Sequence, residues 1–229
     1  IIPNGFRSII PPDVTIKDIN LQENILTINF SKELLEVNDK DEDKMIESII
    51  YTLTSIDGID KVIIKVEGEV LNKLPNSKTN ISTVLDKSYG INKSYDLSNL
   101  NDILSYTTYY TSTYNDTKYY VPVTKYINSK DSDVVKIIIK ELGSSPIYQT
   151  NLMSYLNANT VLNDYELDNN KLKLNFNELL LNDLDKKNIL EEVIYTISLS
   201  MNNVYDNLES VSFLVNNEEI YTININDIK

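Results

Sequence analysis

Histidine, cysteine and tryptophan are absent from all 229 residues, and the first two absences remove whole classes of chemistry. Without imidazole or thiol there is no histidine general base, no thiolate nucleophile, no serine–histidine–aspartate triad and no zinc site built on those ligands. Positive charge is scarce: 21 Lys and Arg stand against 34 Asp and Glu, a formal net charge of −13. That charge repels phosphate backbones and anionic headgroups, so nucleic acid and bare membrane surface are poor partners. Proteins, cations and neutral polymers remain. Glycine is limited to 5 residues, and none sits in a phosphate-cradling motif. No apolar run reaches the length of a membrane-spanning helix. The lack of cysteine does not fix a compartment, because a chain of this size needs no disulfides. The opening IIPNGF carries neither Met nor a signal peptide, which reads as a fragment or mature piece with any anchor upstream.

What is present is a repeat. Residues 47–53 read ESIIYTL and residues 191–197 read EEVIYTI. Upstream of each lies a strand pattern with period two: Leu26, Ile28 and Phe30 answer Leu172, Leu174 and Phe176 at a constant offset. The turns QEN and DNN precede these strands, so each copy starts as a hairpin. In the helix, Ile46, Ile49, Ile50 and Leu53 match Leu190, Val193, Ile194 and Ile197, a single apolar stripe in each copy. Burying four such residues contributes roughly 6 to 12 kcal/mol, so this face belongs in a core. A further strand follows: Val62, Ile64 and Val66 answer Val211, Phe213 and Val215.

The second copy carries extra elements ahead of it. Residues 106–127 hold seven tyrosines split by the turn-like NDTK, a tyrosine-rich hairpin. Then comes a helix with an acidic start, an apolar stripe of Val134, Ile138 and Leu142, Gly143 as C-cap and Pro146 as stop. The expected fold class is therefore α+β: two similar small two-layer domains, each a mixed or antiparallel sheet with helices on one face. The expected divisions are 1–70 for the first domain, lacking the leading hairpin and first helix, 71–105 for a linker with short elements, and 106–229 for the second. The gap left in the first domain calls for cover by another chain or by the linker.

The chemistry-bearing candidates are few. Seven tyrosines exceed what one buried strand face uses, which makes Tyr109, Tyr110, Tyr119 and Tyr120 a candidate interaction surface. Tyr51 and Tyr195 flank the apolar stripes and read as core or rim packing. The acidic run NDKDEDK at 38–44 invites a calcium loop, but counting from Asp39 puts Lys44 at position six and Ile50 at position twelve. It reads as a solvated helix start. No metal site, cofactor or catalytic residue is expected. Among so many carboxylates a hydrolytic pair is conceivable, and sequence spacing cannot show which two converge. Two functions stay open: an assembly module that packs against itself or other proteins, and a cell-envelope protein that binds or cleaves glycans.

The runs PDVTIKDI, ILTINFSKELL and IIYTLTSIDGIDKVIIKVEGE resemble the GerMN domain, and YYVPVTKYI at 119–127 is similar to the strand that opens such domains. The second copy departs from the pattern, with Ser198 for the second Thr and Asn216–Asn217 for Glu67–Gly68. The resemblance covers most of residues 9–70 and 106–221 and implies a non-enzymatic protein of endospore formers. It further implies an N-terminal lipid anchor outside this chain, a place between the mother-cell and forespore membranes, a ring-building fold, and channel proteins or further copies as partners. It supplies no catalytic residues to carry over.

Overall fold

The computed structural model describes residues 7–144 and 151–228, so the expected helix stop at Pro146 lies outside the described residues. Two compact units meet between Asn92 and Lys93.

The first unit contains β1 (Ile16–Gln22), β2 (Ile25–Phe30), α1 (Glu42–Leu53), β3 (Lys61–Val66) and β4 (Glu69–Val70), in the sheet order β1-β2-β3-β4. β2 and β3 run parallel, which no tight turn can connect, so α1 is the crossover. Leu26, Ile28 and Phe30 pair in register with Val62, Ile64 and Val66. All six are buried beneath Ile46, Ile49 and Ile50 of α1.

The second unit contains β5 (Ser94–Asp96), β6 (Ile103–Tyr114), β7 (Thr117–Asn128), α2 (Val134–Gly143), β8 (Leu162–Asp168), β9 (Lys171–Phe176), α3 (Glu191–Val204), β10 (Ser210–Val215) and β11 (Glu218–Asn224). It departs from a single sheet with helices on one face. β11-β10-β9-β8 form one mixed sheet, and the long hairpin pairs with β5 as another, in the order β5-β7-β6. One core joins both sheets and both helices, from Tyr110 and Val123 through Ile138 and Ile197 to Phe176 and Phe213. Gly143 is the last residue of α2 and not a left-handed cap; Ser144 follows as C-cap.

The two copies agree beyond their strands. Asn29 Oδ1 accepts the Gly68 amide at 2.9 Å, and its counterpart Asn175 Oδ1 accepts the Asn217 amide at 2.9 Å. Ser31 Oγ accepts the Thr15 amide as Asn177 Oδ1 accepts that of Val161. Register shifts fall at matching places, between Ile16 and Asp18 and between Leu162 and Asp164. Asn216–Asn217 replaces Glu67–Gly68 without changing the turn, since all four residues have positive φ, a conformation asparagine tolerates better than most residues with a Cβ.

Residues 71–105 are not a free linker. Residues 71–92 pack on the first unit, where Leu74 and Leu85 are core residues, and Val62 and Leu85 exchange both backbone hydrogen bonds, 2.7 and 2.9 Å. Residues 93–105 belong to the second unit through β5 and the start of β6. The turn-rich sequence hid this because one or two apolar residues per turn suffice when backbone groups are also satisfied. Among the described residues the first unit has no counterpart of the long hairpin or of α2. Ile16, Ile19 and Leu21 of β1 are more than half exposed, whereas Tyr165, the match of Ile19, donates its hydroxyl to the α2 cap Asp133 at 3.0 Å.

Leu85→Ala is expected to destabilise the first unit by about 2 to 4 kcal/mol, read in urea by amide exchange of residues 42–66. An unchanged midpoint would show that the segment is a detachable linker after all.

Candidate functional site

The long hairpin is built from β-branched and aromatic residues around the turn Asn115–Asp116, whose φ values of 47° and 60° match the twist of its strands. β6 is an edge strand, and its outer backbone groups at Tyr109 and Thr111 are capped. Ser200 Oγ of α3 accepts the Tyr109 amide at 2.9 Å while donating to Thr196 O at 2.6 Å. Thr111 and Met153 exchange backbone bonds of 2.8 and 2.9 Å. A helix comes this close to a strand because the contacting side chains, Thr196 and Ser200, are small and fully buried. Capping interrupts an edge that would otherwise template association.

The four sequence-selected tyrosines do not form one patch. Neighbours on a strand point to opposite faces, and the pairing Tyr110↔Val121 and Tyr109↔Pro122 puts Tyr110 with Tyr119 and Tyr109 with Tyr120. Tyr110 is corrected from surface to core: it is 3% exposed, and its hydroxyl donates to Glu141 Oε1 at 2.7 Å. Burial first, then the Glu141 charge, pushes the Tyr110 hydroxyl far above its ordinary range. Lys125 pairs with the same carboxylate, so Glu141 ties both hairpin strands to α2. Tyr109 and Tyr119 are half-buried.

Tyr120 leads to α3. Its ring lies 5.2 Å from that of Tyr195, tilted by 55°. Its hydroxyl is shielded from solvent without a hydrogen-bond partner, and burial, followed by the charges of Glu191 and Glu192, pushes it up to about 12. Lys118 of the hairpin pairs with Glu192. That hydrogen bond holds the Glu192 carboxyl below its usual range, against the opposing effect of burial.

Beyond this contact lies an open groove of about 270 Å³. Glu191 and Tyr195, one helical turn apart on α3, form one wall with Ile194, and Ile220 and Tyr221 of β11 contribute to the lining. Lys187 at its rim is bound to Glu218 at 2.6 and 2.8 Å. Glu191 is exposed, while burial and the charge of Glu191 raise the Tyr195 hydroxyl. Sequence reading passed over Tyr195 and Tyr221 as site residues. The available signal was the repeated Glu-x-x-x-Tyr in ESIIYTL and EEVIYTI, a pair that faces one side of a helix.

The acidic run at 38–44 is occupied locally. Asp41 holds Arg7 through bonds of 2.5 and 2.7 Å, and Asp43 accepts the Tyr89 hydroxyl. Among the described residues no group of three potential ligands is placed to hold a metal ion.

Comparison with known proteins gives concordant matches. The family Germane, described as sporulation and spore germination, matches residues 2–72 and 107–221. The spore germination protein GerM of Bacillus subtilis is 32% identical over 222 residues, which covers 94% of this chain and 60% of that protein. This chain therefore spans less than two thirds of that relative's length. The solved tandem GerMN domains of the same protein superpose with a TM-score of 0.85 at 30% identity, over 94% of this chain and 76% of that one.

The Glu192 carboxyl has a folded value below its unfolded one, so it adds stability above the unfolded carboxylate range, lost as pH falls through the lowered value. Glu192→Gln is expected to flatten the acid limb of stability against pH below about 4.5, with little change in shape above pH 6. Equal acid limbs for both proteins, followed by urea midpoints, would remove Glu192 from the account.

Proposed function

Because this chain belongs to the Germane family of sporulation and spore germination proteins, we propose that it is a non-enzymatic assembly component of endospore formation. It supports a ring-like or channel complex in the space between the mother-cell and forespore membranes. It is held at the mother-cell membrane by a lipid anchor outside this chain, and its partners are channel proteins or further copies of itself. No helix among the described residues is long and apolar enough to cross a membrane.

The observation that carries the reading is how the carboxylates are used. Glu42 and Glu47 accept backbone amides of residues 76–92, while Glu141 and Glu192 tie the hairpin to its helices. These are groups that weld a module together. The open groove has one carboxylate in its lining, Glu191, whereas glycoside hydrolysis uses two facing each other across the substrate. A small rigid module written twice on one chain is suited to repeated contacts, in which heterologous interfaces close into rings.

Mass measurement of the soluble protein, alone and with candidate channel proteins, is expected to show species heavier than the monomer. A strictly monomeric protein that captures none of them overturns the proposal, as does turnover of purified peptidoglycan.

A further inference from the structure

The repeated helix supplies its own comparison for the groove on α3, because Glu47 and Tyr51 of α1 are the sequence equivalents of Glu191 and Tyr195. In the first unit this pair is occupied. Glu47, 3% exposed, accepts the Asn92 amide at 2.9 Å, and Tyr51 donates its hydroxyl to the Lys87 carbonyl at 3.1 Å. The peptide between them, Lys87 to Asn92, makes one 3-10 turn and closes at Gly90 with a φ of 82°. Tyr89 of the same segment reaches Asp43. A glutamate and a tyrosine one turn apart thus clasp the main chain of a short turn segment, one taking an N–H and the other giving an O–H to a carbonyl.

In the second unit the same two side chains are open. Glu191 is exposed and lines the groove beside Tyr195, whose hydroxyl has no hydrogen-bond partner among the described residues. The Tyr120 ring lies against that of Tyr195, 5.2 Å away and tilted. Tyr221 and Ile220 add aromatic and aliphatic lining. Lys187, in the turn ahead of α3, is the sequence equivalent of Asp43 within α1, and it is held by Glu218.

We propose that the groove formed by Glu191, Tyr195, Ile220 and Tyr221 is a peptide-docking site for a short turn segment of a partner protein. The segment is held as Glu47 and Tyr51 hold residues 87–92. Glu191 accepts a main-chain N–H, the Tyr195 hydroxyl donates to a main-chain carbonyl, and an uncharged side chain lies against Tyr221. A segment ending in a carboxylate, or carrying one beside the turn, is disfavoured by Glu191. This inference deepens the assembly reading and rests on it for the partner's role, but the groove's capacity to bind peptide is measured separately.

The probe is the acetylated, amidated peptide KSYGIN, residues 87–92 of this chain, titrated into the isotope-labelled protein and followed by amide shifts. Saturable shifts at Glu191, Tyr195 and Tyr221 are expected, with a dissociation constant of about 1 mM or tighter. Glu191→Gln and Tyr195→Phe, both preserving shape, are each expected to weaken binding by roughly threefold to tenfold, and a scrambled peptide is expected to leave the groove unshifted. No saturable shift there at about 5 mM peptide, or an affinity in both variants equal to that of the unaltered protein, overturns the inference. If the peptide fails while the protein still assembles with channel proteins, the groove reading falls and the assembly reading stands. If it binds a protein that captures no partner, the reverse holds.

Discussion

A parallel pair of strands cannot be closed by a turn, and in both units the central pair is parallel: β2 with β3 and β9 with β10. The chain must leave the sheet and return, and a helix is the compact way to do so. That helix has a stripe of aliphatic side chains that seals the sheet and an opposite side that also requires cover. The stripe is nearly the same in the two copies, so the sheet side is a solved problem repeated. The outer side is where the units diverge, and most of what distinguishes them follows from the cover each one uses.

In the second unit the cover includes the long hairpin, brought against α3 by Thr196 and Ser200. In the first it is a turn-rich segment with few apolar residues, held by buried carboxylates. Burial penalises the charge of Glu42, and the hydrogen bonds from Ser77 and Asn76 outweigh that penalty, so its carboxyl stays below the usual range. The same glutamate satisfies amides of a loop that would otherwise lie unpaired against protein, which is costly. A small hydroxyl, Ser200, meets the strand edge, and the longer carboxylates of Glu42 and Glu47 meet the loop amides.

The repeat, its strands and its crossover helices were legible from period and spacing, because the core face of each element is written in the identity of alternate or every third and fourth residue. Two things were not. The role of residues 71–92 depends on hydrogen bonds from Glu42 and Glu47 to backbone amides, and a backbone amide leaves no mark on sequence. The division of the tyrosines was in principle readable, since Tyr109 and Tyr110 are neighbours on a strand and so are Tyr119 and Tyr120. Counting aromatic residues obscured the alternation that separates them. The tyrosines that line the groove belong to α3 and β11, far in sequence from the aromatic run at 106–126, although Tyr195 meets Tyr120 of that run in space.

The Glu-x-x-x-Tyr pair shows how one sequence element gives opposite surfaces in two copies. In α1 it is roofed by its own chain, and its carboxylate is buried and bonded. In α3 the chain after β10 turns into β11 and follows the sheet to Asn224, whereas after β3 the strand β4 ends at Val70 and the chain leaves to cross the helix. The longer β11 places Tyr221 in the lining of the groove with Tyr195, and Glu191 is exposed. The residues that clasp a segment in one unit thus hold none among the described residues of the other.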